Sequence, residues 1–478
     1  MTVQQYELVV RGGTVVTPGR QEAADIGIQN GRIAQVGGAM SGPEEIDGHG
    51  LLVLPGGIDA HVHLVCAAVR AAVQAVVGPE EPVWVDDFWT GSLAAIAGGI
   101  TTVANMTFAL PGESMTTAIA REMAGAAAEA AVDWFLHPVL AGLNDRTADG
   151  TAGGTAAEIA RLAGDGHASL KVFLSRPDSA AGTPGLAEAI AAAGRAGSLT
   201  LVHCEDAGML ERAGRELIGS GHGAVRHFPD ARPVSAEVEA VDQAIALARQ
   251  TGAPVYIVHL SSAAALDRCR RARAAGLPVY VETRPLYLHL TRERFDEPDA
   301  AKYVGAPPLR SPADRDALWR GLAAGEIDTV CSDHAPWTLA AKLDPALDVV
   351  TARQGVADLE TLMPMLFSEG VVAGRISLDR FVELTSANAA RLFGLQPRKG
   401  VIAVGSDADL ALWDPGKRMT IDGASMSSLA GYSVYDGWTV QGWPRFVIRR
   451  GQVVLADGIS LAEPGQGQWI PRSRAAPA

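Results

Sequence analysis

The sequence predicts an α/β fold: a (β/α)8 TIM-type barrel with a small β-sandwich domain formed by both chain ends. Three observations carry that prediction. Short apolar runs alternate with Ala-rich helical stretches through the middle of the chain, the pattern of parallel strands joined by helical crossovers. Both ends are instead rich in β-branched residues and tight turns. The length, 478 residues, exceeds one ordinary core but suits a barrel of about 250 residues or more beside a smaller domain.

Each part follows in order. Residues 1–52 supply the N-terminal part of the sandwich: Tyr6 to Val16 is β-branched, and Asn30-Gly31 gives Ile26–Val36 a two-residue hairpin turn. Residues 53–398 form the barrel. Its strands are read at Leu51–Leu54 (entering it), Thr200–Val202, Val255–Val258, Val279–Val281 and Thr329–Val330. Helices fall at Thr116–Ala131, Leu186–Ala196, Ala236–Gln250 and Ala263–Ala275. Residues 399–478 return to strands, with Ala408–Trp413 apolar and an Arg450-Gly451 turn inside Arg445–Ala456. The Gly/Pro-containing tail beyond Glu463 predicts an extended arm, a candidate to reach a neighbouring subunit.

Composition excludes several function classes. With 48% hydrophobic and 20% charged residues the chain is globular. Lys and Arg number 40 against 54 Asp and Glu, a net charge of −14, which offers no footprint for nucleic acid or anionic lipid. The start, MTVQQYELVV, lacks the layout of a secretory signal. No run approaches the roughly 18 apolar residues of a membrane helix; Cys66–Val77 is broken by Arg70 and Gln74. Four cysteines, Cys66, Cys204, Cys269 and Cys331, make no disulfide framework or CxxC site. These readings predict a cytoplasmic protein with no nucleic-acid and no membrane partner.

The chemistry is in where the histidines fall. His61 and His63 follow the apolar run Leu51–Leu54 within PGGIDAHVHL. Residues two apart on a strand point to one side, so both imidazoles can chelate a metal at the carboxyl end of a barrel strand. His203 ends the strand Leu199–Val202, His259 ends Val255–Val258, and Asp333 follows Ile327–Ser332. Each alone reads as a satisfied core residue; together, at the face where barrels carry their active sites, they read as one centre. Lys171 lies inside the apolar strand Ala168–Phe173, where an ammonium needs a partner or a route to water. The alternative is a neutral amine that takes up CO2 to become a carbamate, a carboxylate-like group that cations would stabilise.

PGGIDAHVHL, SLKVFLS, LVHCED, YIVHLSS and SDHAP, in this order, resemble the cyclic amidohydrolases of the amidohydrolase superfamily. Their hydantoinase/dihydropyrimidinase branch is matched from about residue 5 to residue 470, with allantoinase and dihydroorotase as relatives. Ala387–Leu395 and Arg398–Leu410 are similar to hydantoinases in particular. The resemblance implies hydrolysis of a small cyclic amide or imide. His61, His63 and Asp333 would hold one zinc or other divalent transition metal, and His203 and His259 a second. Lys171, as N6-carboxylysine, and a hydroxide would bridge the two. Asp333 would be the catalytic proton shuttle. Relatives imply a homotetramer or homodimer.

The departures concern the substrate. A tyrosine that stabilises the oxyanion in many relatives is here Arg176. It is expected to donate to the oxyanion, to contact an anionic substituent, or to point away. The family's ETCPQYL segment appears as Glu282–Leu288 with Arg284 in place of cysteine, and Ala306, before a proline pair, is expected to offer backbone groups to the ring amide. Gln354-Gly355 loosely matches a substrate-binding Asn-Gly. Residues 64–85 are longer than the corresponding family loop and apolar near their end, at Val83, Trp84 and Val85; they are expected either to wall the pocket for a bulky substituent or to pack outside. Allantoinase is the second enzyme reading, favoured by Ser332–Pro336 and Gly355–Glu360. Dihydroorotase would need a cationic clamp, for which Arg176 and Arg284 are candidates. A metal-free scaffold homologue is the non-enzyme alternative, opposed by the intact ligand positions.

Overall fold

The computed structural model describes residues 4–78, 81–140, 154–176 and 185–472. Eight parallel strands form the barrel: β1 (Gly57–Val62), β2 (Ile100–Thr107), β3 (Asp133–Pro138), β4 (Ser169–Phe173), β5 (Leu199–His203), β6 (Val255–Ile257), β7 (Val279–Thr283) and β8 (Thr329–Val330). They pair in chain order within two arcs, β1 to β3 and β4 to β8. Isolated parallel bridges close both seams, Val139 with Lys171 and Val62 with His334. The strands are thus arranged as a barrel whose two seams are spanned by single bridges, and the strand ends that carry the predicted ligands converge on one mouth.

Helices cover the outside. Val234–Thr251 buries Ala236, Ala240, Val241, Ala244 and Ala248, an inward stripe of small side chains that lets the helix lie close to the strands. Side-chain caps fix where helices begin. The Asp206 carboxylate accepts from Met209 N and the Ser262 hydroxyl from Ala265 N, satisfying amides that no helical carbonyl reaches. Each cap lies three residues beyond a predicted ligand, His203 or His259, so the ligand is held between a strand and a capped helix.

Both chain ends build one β-rich domain, as expected. Its nine strands form a continuous sheet in which Leu52–Pro55 lies between Leu8–Thr17 and Leu410–Thr420. The sheet folds over a shared core of Val10, Ile26, Val53, Leu410, Leu412 and Ile448. Its N-terminal edge returns to the C-terminal half, with Ile33 N donating to Ser406 O at 2.9 Å. The expected turns occur: Asn30 and Gly31 both have positive φ, 51° and 72°, as a type I′ hairpin turn requires.

The tail, through Arg472, packs on its own barrel. Because β3 meets β4 only at Val139, Trp134 has backbone groups free on that side, and the tail pairs with them. Trp134 N donates to Gln468 O at 2.9 Å and Ile470 N to Trp134 O at 2.8 Å. Arg472 then enters beneath the barrel, donating to Leu136 O and to Ser169 Oγ at 2.9 and 2.8 Å. Among the described residues no helix is long and apolar enough to cross a membrane.

Candidate metal centre and active site

His61 and His63 share one face of β1, their ring centroids 5.4 Å apart. Asp333, beyond β8, brings Oδ1 to 3.0 Å from His63 Nε2 and 3.3 Å from His61 Nε2. Potential ligand atoms of these three buried residues lie within 4.8 Å of one another. His259 stands 5.5 Å from His61 and 4.5 Å from His203 between ring centroids, continuing the row across the mouth. His259 and Asp333 have φ of 38° and 49°, left-handed values that carry a backbone cost in any non-glycine residue; among the described residues the other three positive-φ non-glycine residues lie in hairpin turns. Backbone strain is thus concentrated at two predicted ligands.

Lys171 completes the cluster. Its Nζ is fully buried on β4, 4.9 Å over the Phe173 ring, and has no hydrogen-bond partner. Burial pushes the ammonium down to about 8, which brings the neutral amine to a minor fraction, about a tenth, at pH 7. His63 Nδ1 and His259 Nδ1 are likewise buried without partners. Orphaned nitrogens in a dry site are expensive unless something engages them. A donor set of imidazoles and carboxylate with these unmet groups fits divalent transition metal.

Several residues that support the cluster escaped sequence reasoning. Glu282 on β7 accepts from His61 Nδ1–H at 2.8 Å, which leaves Nε2 facing the centre; it also accepts from His259 N at 2.9 Å and, through its other oxygen, from Tyr256 OH at 2.9 Å. Asp59 accepts from His61 N at 3.1 Å and from Ser332 N at 3.2 Å. Glu205 contacts His203 Nε2 at 2.9 Å and is anchored by Arg232 Nε at 3.0 Å. For Asp59 and Glu205 the available signal was a carboxylate two residues from a predicted ligand; Glu282, on a strand with no predicted ligand, gave none. Burial favours a protonated Asp333, but the Arg284 guanidinium and the His61 and His63 rings outweigh it and hold the carboxyl well below the usual range.

Above the cluster lies a cavity of about 210 Å³. Arg176, Ala306 and Gln354, the three predicted substrate contacts, all line it. Arg176 does not point away: its guanidinium carbon stands 4.6 Å from the Phe173 centroid and 5.4 Å from that of Phe108. Trp84 forms another wall, 4.9 Å from His63 and 6.2 Å from Phe108 between centroids. Arg70 pins that segment by donating to Trp84 O and Val85 O. The apolar end of 64–85 therefore walls the pocket, while its helix Ala67–Val77 lies earlier in the loop.

A second acidic group, Asp133, Asp407 and Asp409, is buried at the joint between barrel and β domain. Lys399 Nζ occupies its centre, 2.5 Å from Asp133 and Asp409 and 3.0 Å from Asp407. That joint already has its cation.

A profile described as the amidohydrolase family matches residues 52–454. The chain is 36% identical over 472 residues to a D-phenylhydantoinase of Escherichia coli O1:K1 / APEC, covering 97% of this chain and 98% of the relative. Among solved structures, a D-hydantoinase from a Bacillus sp. AR9 superposes with a TM-score of 0.90 at 35% identity, covering 98% of this chain and 100% of that one. A dihydropyrimidinase from Brevibacillus agri NCHU1002 gives 0.88 at 33% identity, covering 98% and 99%.

Proposed function

Since the chain belongs to the amidohydrolase family, in its hydantoinase and dihydropyrimidinase branch, we propose that it opens a small cyclic amide or imide by hydrolysis at this cluster. The observation that carries the reading is the unpartnered amine of Lys171, buried among four histidines and an aspartate.

His61, His63 and Asp333 would hold one divalent ion, taken to be zinc, and His203 and His259 a second, with Lys171 carboxylated between them. When bound, such a pair supplies an acidified water as nucleophile and polarises the scissile carbonyl. The chain's own groups do the rest. Glu282 and Glu205 fix the tautomers and orientations of His61 and His203. Asp333 accepts the proton of the attacking water and returns it to the departing ring nitrogen. Arg284, bonded to Asp333 Oδ2 at 2.9 Å, leaves Oδ1 turned to the reacting side. Backbone groups of Ala306 and Gln354 grip the ring amide, and Arg176 donates to the developing oxyanion or to an anionic substituent.

The aromatic wall of Trp84, Phe108 and Phe173 favours an apolar or aryl substituent on the ring. It also counts against allantoinase, whose ureido group needs polar partners. Ring opening of hydantoin, 5-phenylhydantoin, dihydrouracil, allantoin and a cyclic imide tests the reading. Turnover of hydantoins or dihydrouracil, with the aryl ring preferred, is expected; no opening of any of the five would refute it.

A further inference from the structure

Lys342 ends the short helix Leu339–Lys342 and is 1% exposed. Its Nζ donates to three backbone carbonyls, Val304 O at 2.6 Å, Arg353 O at 2.7 Å and Gly355 O at 2.9 Å. Three acceptors require three N–H groups, which an ammonium has and a neutral amine lacks. Burial, with the nearby Arg284 guanidinium, pushes this amine well below the usual lysine range; the cage of three carbonyls, which only an ammonium can satisfy, is what favours the cation there.

The two segments it joins both belong to the pocket wall. Ala306 lies two residues after Val304, and Gln354 and Gly355 line the cavity directly. The segments also bond to each other, Gly355 N donating to Val304 O at 3.0 Å. The carbonyls of Arg353 and Gly355 face Lys342, while that of Gln354 accepts from Trp337 Nε1 at 2.8 Å. The ammonium therefore grips this segment from behind and fixes which way residue 354 is turned.

We propose that Lys342 is a positioning residue whose ammonium ties Val304–Ala306 to Arg353–Gly355 and so sets the width of the slot that grips the ring amide. What is gripped rests on the ring-opening reading; the tie does not.

The test compares wild type with Lys342→Met, which keeps the stem and removes the donors, and with Lys342→Ala supplied with n-propylammonium or n-propanol. In Lys342→Met, KM is expected to rise about 10-fold or more with kcat within about 3-fold, the pattern of lost binding that does not discriminate ground from transition state. Metal content should match wild type. In Lys342→Ala, n-propylammonium should restore KM and n-propanol should not. An unchanged KM, equal rescue by the alcohol, or a fall in kcat and metal content at constant KM would each overturn the proposal. If wild type opens no ring, the functional reading fails separately. The tie is then read from hydrogen exchange of the Gly355 amide, expected to quicken in Lys342→Met and to slow again in Lys342→Ala with n-propylammonium. Exchange as slow as in wild type would overturn it. If neither variant folds, Lys342→Arg, which keeps the cation but lengthens the stem, is expected to speed the same exchange, with the same contrary result.

Discussion

Arg284 Nη1 lies 2.9 Å from Asp333 Oδ2, while Oδ1 of the same carboxylate stands 3.0 Å from His63 Nε2. One aspartate is thus shared between a permanent cation and the candidate metal centre. Arg284 is fully buried, and Asp358 is the next carboxylate, 4.0 Å from its Nη2.

Arg284→Met should therefore raise the Asp333 carboxyl from its depressed position. A proton acceptor must be ionised, so activity is lost as pH falls through its pKa, and the acid limb of kcat/KM should move to higher pH. Removing one partner of a buried pair should also cost about 3–5 kcal/mol of stability, measured by urea unfolding. An unmoved acid limb would separate Arg284 from the proton step.

Lys171 should control assembly of the centre. Carbamate forms only on the neutral amine, and burial brings that form into reach at about pH 8. After chelation and passage through acid to remove metal and carbamate, reactivation by zinc and bicarbonate should quicken as pH rises through about 8. Lys171→Ala should lose bound metal and activity, with partial rescue by short carboxylic acids. A pH-independent reactivation rate would argue against the carbamate.

Trp84→Ala should act on substrate choice. The indole packs against His63 and Phe108 at the wall, and an aromatic pair contributes about 0.5–1.5 kcal/mol beyond its buried area. KM for 5-phenylhydantoin should rise roughly 2- to 12-fold, the same energy as a ratio, with little change for unsubstituted hydantoin. Equal effects on both would place the substituent elsewhere.

Lys399→Met should destabilise the joint. It strands Asp133, Asp407 and Asp409 together in a buried space, at a cost of about 3–5 kcal/mol. Adding Asp409→Asn should recover part of that loss. Equal stability of wild type and Lys399→Met in a urea titration would show the cluster to be adequately solvated.

The barrel and its mouth were legible because strand and ligand are adjacent in sequence: His61, His63, His203 and His259 each end an apolar run, and Asp333 follows another. Glu282 was not, because its pairing with His61, 221 residues away, leaves no local periodicity, whereas Asp59 and Glu205 stand two residues from the ligands they support. The course of the tail was only partly legible, for a related reason. Its Gly and Pro residues indicate an extended chain, but only the open side of β3 decides where that chain lies. Lys342 sits in a four-residue helix with no apolar repeat, so nothing near it hints that three carbonyls converge on its amine.

The central claim is a pair of divalent ions bridged by a carboxylated Lys171. Its most direct measurement is metal content together with the mass of the Lys171 peptide under non-acidic conditions, on active protein prepared with zinc and bicarbonate. The account predicts two ions per chain and a carbamate that acid removes. Full ring-opening activity in protein with an unmodified Lys171 amine and no bound metal would contradict it.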